Sequence, residues 1–396
     1  MLDLRYSEEE EKFRRELRAW LRAEVPAHGQ APPHSDFPAR RAYETGWQKK
    51  LFAAGWAGIS WPREYGGREA SLPQQVLYHE ETARAGAPDV GVNFVGLMHG
   101  GPTLIVEGTP EQKARHLPRI LRGEEVWCQG FSEPSAGSDL AALRTRAERD
   151  GDHYVVTGQK IWTSYAHVAD YCELLVRTDP DAPKHRGITW LILPMDTPGV
   201  VIRPLRTVTG EGEFSEVFLD KVRVPVANRV GAENEGWRVT NVTLRFERGT
   251  AFAGRIYQLQ ATLGAIAELA RRVARHDASA WEDRALRREV GRWQAELDGL
   301  WALLKLSISE SERTGVPGLA GSAIKLAFSE IYQGIGDLGL RLLGRAGLCF
   351  EDVADLPVRR LVITYFYSIS TTIAAGSSQI QRNIISERIL GLPKER

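Results

Sequence analysis

Apolar positions recur at helical spacing over residues 1–125, at strand-like spacing over 126–234, and at helical spacing again over 235–396. Phe13, Leu17, Trp20 and Leu21 make the first stripe, behind a capping box of Ser7 and Glu10. Pro26 predicts the end of that helix, and a Pro-rich loop runs on to Pro38. A second helix carries Tyr43, Trp47 and Leu51 and ends at Gly55. Two more are expected over 76–85 and 90–107, and Thr109 before Pro110 caps another.

The texture changes near Glu125. From there to about Val230, Gly and Pro punctuate short β-branched runs. Asp150-Gly151 lies between TRAER and HYVVTG, a hairpin signal. ITWLILPM, GVVIRPL, SEVFLD and VRVP read as further strands of a small all-β module, a sandwich or barrel. From Glu235 the chain is helical. Val239, Val242 and Phe246 mark a first long helix, a second is expected over 282–313, and Pro317 opens a third that ends in LLGRAGL. Two shorter helices follow, and Gly391 and Pro393 close the last. The expected fold is mainly α with a central all-β domain. Its domains are 1–125, 126–234 and 235–396.

Composition narrows the function classes. Lys plus Arg and Asp plus Glu both number 51, so no net field favours nucleic acid or an anionic membrane. The three cysteines are scattered, which argues against a disulfide framework or a metal site. The acidic MLDLRYSEEEEKF has no apolar centre, so no signal peptide is expected, and no uncharged run is long enough to span a membrane. These features together predict a cytoplasmic protein.

Four stretches are candidates for chemistry. EPSAGSD, residues 133–139, can form a nest of amides for an anionic ligand, or simply a β-turn. It is neither a Walker loop nor a dinucleotide fingerprint. GQKIWTS puts Trp162 beside Thr163 and Ser164, a flat aromatic next to hydroxyls. That set can hold a heteroaromatic ring, or Trp162 can be core. Glu247, one residue past Phe246, sits about 100° around the helix from the apolar stripe. There it is either a partly desolvated general base or a solvated partner of Arg245 or Arg248. AAGSSQIQR, residues 374–382, is a Gly turn into a capped helix.

In order and spacing, PREYGG, EGTPEQKARHLPRILRGE, CQGFSEPSAGSDL, TGQKIWTS, DKVRVPVANRVG, the FER helix and SSQIQR resemble the acyl-CoA dehydrogenase family over essentially the whole chain. The resemblance implies a helical N-domain, a β-barrel or sandwich and a C-terminal four-helix bundle, with FAD as cofactor. It implies that Gln129, Phe131 and Ser132 meet the pyrimidine side of the flavin, and that Gly137 and Ser138 meet its pyrophosphate. Trp162 with Thr163 would pack on the ring, Ser164 would face N5, and Ser377 and Gln379 would touch FAD from the C-terminal segment. Ser138 and Arg248 would also hold the CoA part of an acyl-CoA substrate. The family carries its base at either of two places. At one this chain has Ala375, which abstracts nothing; at the other, the isovaleryl and long-chain type, it has Glu247.

The implied reaction is α,β-dehydrogenation to a trans-2-enoyl-CoA within lipid metabolism. An electron-transfer flavoprotein is the implied acceptor, and the implied assembly is a homo- or heterotetramer built as a dimer of dimers. Two family motifs are altered. RVARHDASAWEDR lacks the family's F-G and leaves Arg275 in the place of its cross-subunit Arg. RLLGRAG carries Arg341 and Arg345 where the family has Gln and Gly at the ADP end of a neighbouring FAD. Two alternatives therefore stay open, a non-catalytic or half-site subunit of a heteromer and an O₂-using flavoenzyme on this fold.

Overall fold

The computed structural model describes residues 6–246, 250–275, 277–314 and 320–394. The chain forms two compact units, Val25–Ala70 with Pro88–Glu247, and Met1–Glu24 with Ser71–Ala87 and Arg248–Arg396. Along the sequence the order is helices, sheet, helices, as expected.

Local signals account for several helix starts. α1 (Glu8–His28) opens on the Ser7–Glu10 box, in which Glu10 N–H donates to Ser7 Oγ at 3.2 Å and Ser7 N–H to Glu10 Oε2 at 2.6 Å. Phe13, Leu17 and Leu21 are buried, with Trp20 at the edge of the stripe. Pro26 does not stop α1 but lies inside its last turn, where the one ladder bond it removes is a small loss. α2 (Phe37–Ala53) starts on Asp36, α3 (Leu72–Arg84) on a Ser71–Gln74 box, and Thr109 pairs with Gln112 ahead of α5. The single helix expected over 90–107 is three pieces: a 3₁₀ turn at Gly91–Asn93, a π turn at Gly96–Gly100 and α4 (Gly101–Glu107). Glycines at 91, 96, 100 and 101 weaken the α ladder there. α5 spans Pro110–Leu121.

The sheet has eight strands: β1 (Trp127–Gly130), β2 (Arg146–Asp150), β3 (His153–Ser164), β4 (Tyr171–Arg177), β5 (Ile188–Pro194), β6 (Val200–Leu205), β7 (Phe214–Pro225) and β8 (Arg229–Val230). Its order is β6-β7-β3-β2-β4-β5-β8, with β1 parallel to β4. The β2–β3 hairpin forms where Asp150-Gly151 predicted it, Gly151 taking φ 60°. SEVFLD and VRVP, read as two strands, are one, β7, running through Lys221 at φ 50°. Inward residues of β1 to β5 and β7, among them Cys128, Tyr154, Leu174, Leu191 and Val217, share one apolar core. α6 (Gly236–Phe246) follows in the same unit.

In the other unit α7 (Phe252–Arg272), α8 (Arg284–Thr314), α9 (Ala320–Leu343) and α10 (Val358–Thr371) form the helical bundle, followed by α11 (Ser378–Ile384). The first long helix expected there is two, α6 and α7. Pro317 lies outside the described residues. Ile256, Leu259, Leu263, Ile266 and Leu269 make the stripe of α7, and they meet Leu300, Leu304, Ile331, Ile335 and Leu361. Arg18 clamps the buried Glu81 through Nε at 2.8 Å and Nη2 at 2.6 Å, joining α1 to α3. Gly334 lets the Trp293 indole lie against α9: an added Cβ would come within 2.1 Å of Trp293 Cζ2. Gly334→Ala is predicted to destabilise the protein by about 1–3 kcal/mol in chemical denaturation. Gly264→Ala, on α7 with nothing within 4 Å of its added Cβ, should instead stabilise it by about 0.5–1 kcal/mol. Equal effects at the two positions would refute this account of the packing.

Candidate active site

Beyond β1 the chain closes a tight turn, with Glu133 N–H donating to Ala136 O and Ala136 N–H to Glu133 O, both at 3.0 Å. The Glu133 side chain points inward. It accepts from Lys160 Nζ at 2.8 Å, from Arg144 N–H at 2.7 Å and from Thr145 N–H at 2.8 Å. Lys160 has 0% exposure and also donates to Phe131 O at 3.2 Å. Burial opposes ionisation of Glu133, but the Lys160 ammonium and the hydrogen bonds outweigh it and hold the carboxyl below its ordinary range. Burial lowers the Lys160 pKa, against the pull of Glu133. Arg177 ties the far side of the loop, donating to Ala141 O at 2.6 Å, Lys184 O at 3.1 Å and Arg186 O at 2.7 Å.

With its inner side pinned, the loop turns its other side to solvent. Phe131 is buried, Ser132 half-buried, and Gly137 and Ser138 exposed. A Cβ on Gly137 would meet nothing within 4 Å. The amides of Gly137 and Ser138 have no acceptor among the described residues, as an anion nest requires.

β3 ends beside this loop, where Ile161 N–H donates to Ser132 O at 2.9 Å. A bulge lies between Lys160 and Thr163 on the β7 side. In it Trp162 stands at φ 62° and is 58% exposed, its ring edge-on to Phe214 at 5.8 Å. A bulky residue in the left-handed region costs about 1–3 kcal/mol, and such strain gathers at functional sites. Thr163 is fully buried, with no partner for Oγ1 among the described residues, and Ser164 is half-buried. Gln129, half-buried on β1, donates from Nε2 to Glu173 Oε1 at 2.8 Å. Gln129, Phe131, Ser132, Gly137, Ser138, Trp162, Thr163 and Ser164 thus gather at one end of the sheet. An exposed indole, free amides and an orphaned hydroxyl fit a flat cofactor with an anionic tail, as FAD is.

The other unit carries a separate turn. Ala375 at φ 53° and Gly376 at φ 86° precede α11. Lys325 Nζ donates to Gly376 O at 2.7 Å, and Gln381 Nε2 to Ala375 O at 3.1 Å. Ser377 caps α11 by accepting from Ile380 N–H at 3.3 Å, and Gln379 is exposed. Ala375 brings no carboxylate to this turn. Glu247 and Arg248 lie outside the described residues. Arg275 falls in a two-residue strand paired with Ala278–Ser279. Arg341 is held by Glu289 at 2.6 Å and Asp337 at 2.7 Å. Lys160, Glu173 and His99 are not among the residues that the sequence predicts for the site. Lys160 left a trace, since it shares the inward parity of Tyr154 and Val156 on β3.

Family models for the N-terminal, middle and C-terminal domains of acyl-CoA dehydrogenases match residues 7–124, 128–222 and 234–390. The acyl-CoA dehydrogenase IpdE1 of Mycobacterium tuberculosis is 41% identical, over 97% of this chain and 98% of its own length. A structure described as the Tcur3481-Tcur3483 steroid ACAD superposes with a TM-score of 0.84 at 32% identity, covering 100% of both chains. The ChsE4-ChsE5 complex from Mycobacterium tuberculosis gives a TM-score of 0.84 at 33% identity, again over 100% of both. The chain belongs to the acyl-CoA dehydrogenase family, oxidoreductases that use FAD. No helix among the described residues is long and apolar enough to cross a membrane.

The Glu133–Lys160 pair yields a test. Glu133→Gln leaves a buried ammonium unpaired and is expected to cost about 3–5 kcal/mol in urea unfolding. Because the folded pKa of Glu133 lies below the unfolded one, its contribution is complete above the ordinary carboxyl range. It is lost as pH falls through the lowered value. The variant should therefore lose stability less steeply than wild type on acidification; an unchanged acid limb would count against the pair.

Proposed function

We propose that this protein dehydrogenates an acyl-CoA thioester at its α,β bond, with Glu247 as the base that removes the α-proton. The observation that carries this reading is the strained, exposed Trp162 beside a pinned loop with free amides, in a chain whose other family base position is Ala375. Bound FAD would supply the acceptor for the β-hydrogen, which leaves as hydride. The residues of the chain bind and orient. Gln129, Phe131, Ser132, Thr163 and Ser164 would hold the flavin ring, with Trp162 packed on it. Gly137 and Ser138 would take the pyrophosphate, and Ser377 and Gln379 would add contacts from the C-terminal turn. Ser138 and Arg248 would hold the CoA, and hydrogen bonds to the thioester oxygen would stabilise the enolate-like transition state. We retain the division into 1–125, 126–234 and 235–396 and an electron-transfer flavoprotein as electron acceptor.

The description of one similar structure as a steroid ACAD favours a ring-bearing, steroid-derived acyl group. The two similar structures together favour a second chain, since both are described as two-component proteins. Arg341 supports the latter. Its guanidinium, at the position where the family carries the Gln that serves a cofactor's ADP end, is engaged by Glu289 and Asp337. In this second reading the chain is one half of a heterotetramer and completes its catalytic site only with a partner.

Glu247→Gln is predicted to lower kcat with a steroid-side-chain acyl-CoA by about 10²- to 10⁴-fold while leaving FAD content unchanged. Full turnover in the variant would remove Glu247 from the mechanism. Glu247→Gln combined with Ala375→Glu moves the carboxylate to the alternative family position and should restore part of the rate. Inactivity of the wild-type chain until a second chain is added would favour the half-site reading.

A further inference from the structure

Glu173 has 0% exposure and stands opposite Gln129 in the parallel β1–β4 register. Its Oε1 accepts from Gln129 Nε2 at 2.8 Å. The same Nε2 lies 3.2 Å from His99 Nδ1, whereas His99 Nδ1 and Glu173 Oε1 are 3.5 Å apart, too far for a good hydrogen bond. An amide NH₂ has two protons, and these two contacts use both. His99 Nδ1 is then the accepting nitrogen, and the imidazole proton sits on Nε2. His99 is itself buried in the π turn Gly96–Gly100, edge-on to Phe94 at 5.3 Å. π turns recur at functional sites. Turning the Gln129 amide over would set its oxygen against the Glu173 oxygen, two acceptors in contact. The carboxyl therefore decides which end of the amide faces inward.

We propose that Glu173 is a positioning residue: by accepting from Gln129 it holds that amide with its carbonyl oxygen turned away from Glu173 and His99, so that this edge of the wall offers an acceptor to a ligand edge bearing N–H. The pyrimidine ring of a flavin has such an edge, an imide N–H between two carbonyls. The inference rests on the reading of β1 and the following loop as the flavin wall, and extends it to a residue outside the family's quoted motifs.

The test compares binding of FAD and 3-methyl-FAD, whose methyl replaces the imide hydrogen, to apoprotein by flavin fluorescence quenching. Wild type should bind FAD more tightly by about tenfold, the loss expected when a buried carbonyl is left without its donor. Glu173→Leu should bring the ratio close to one. Glu173→Gln, whose own carbonyl can accept the same N–H, should keep most of the ratio and provides the reading if the Leu variant does not fold. A wild-type ratio near one, a Leu variant that keeps the wild-type ratio, or a Gln variant that loses it completely would overturn the proposal. Failure of wild type to bind FAD at all, with its partner chain if one is required, would instead overturn the flavin-wall reading on which it stands.

Discussion

Lys160 carries its ammonium to a point with no solvent exposure, and the Glu133 carboxylate 2.8 Å away makes that burial tolerable. A buried ion pair is seldom a net source of stability against apolar replacement, but breaking one is expensive. Here the cost is used for position. Lys160 ties β3 to the loop after β1, and Glu133 also satisfies the amides of Arg144 and Thr145. One pair thus sets the depth of the loop, the start of the chain into β2 and the approach to the bulge at Trp162. The outward amides of Gly137 and Ser138 and the raised indole follow from that inner anchor.

The same logic of inward commitment and outward offer recurs. Gln129 spends its NH₂ on Glu173 and His99. In the other unit, Lys325 and Gln381 hold the carbonyls of the Ala375-Gly376 turn, so two left-handed residues persist ahead of α11. Each case places a polar group by exhausting its alternatives. Arg341 is held in the same way, engaged by two acidic neighbours, Asp337 and Glu289.

Much of the architecture was legible from local chemistry. The caps at Ser7 and Thr109, the Asp150-Gly151 hairpin and the change from helical to strand spacing all operate within a few residues, so sequence alone reports them. Features set by distant partners were not legible. YCELLVR is an apolar run with one Glu, and nothing local marks it as β4 or its Glu173 as facing Gln129 until the register is known. A left-handed Trp162 has no signal of its own, because it sits in a bulge that forms against the distant strand β7. Pro26 misled because a helix near its end has few ladder bonds left to lose. EPSAGSD and GQKIWTS stand out by their own residues, the roles of 129–164 come from the resemblance, and the structure supplies what motifs lack: the anchor beneath them.

The wall formed by residues 127–164 and a carboxylate at Glu247 together are the basis of the proposed dehydrogenation. Its most direct test is an anaerobic titration of the purified protein, with its partner chain if one is required, against a steroid-side-chain acyl-CoA, followed by flavin absorbance. Bleaching of the oxidised flavin band with matching formation of enoyl-CoA is expected in the wild type, and persistence of the band in Glu247→Gln. A wild-type flavin that stays oxidised under every acyl-CoA tried, or a Glu247→Gln variant that bleaches at the wild-type rate, would contradict it.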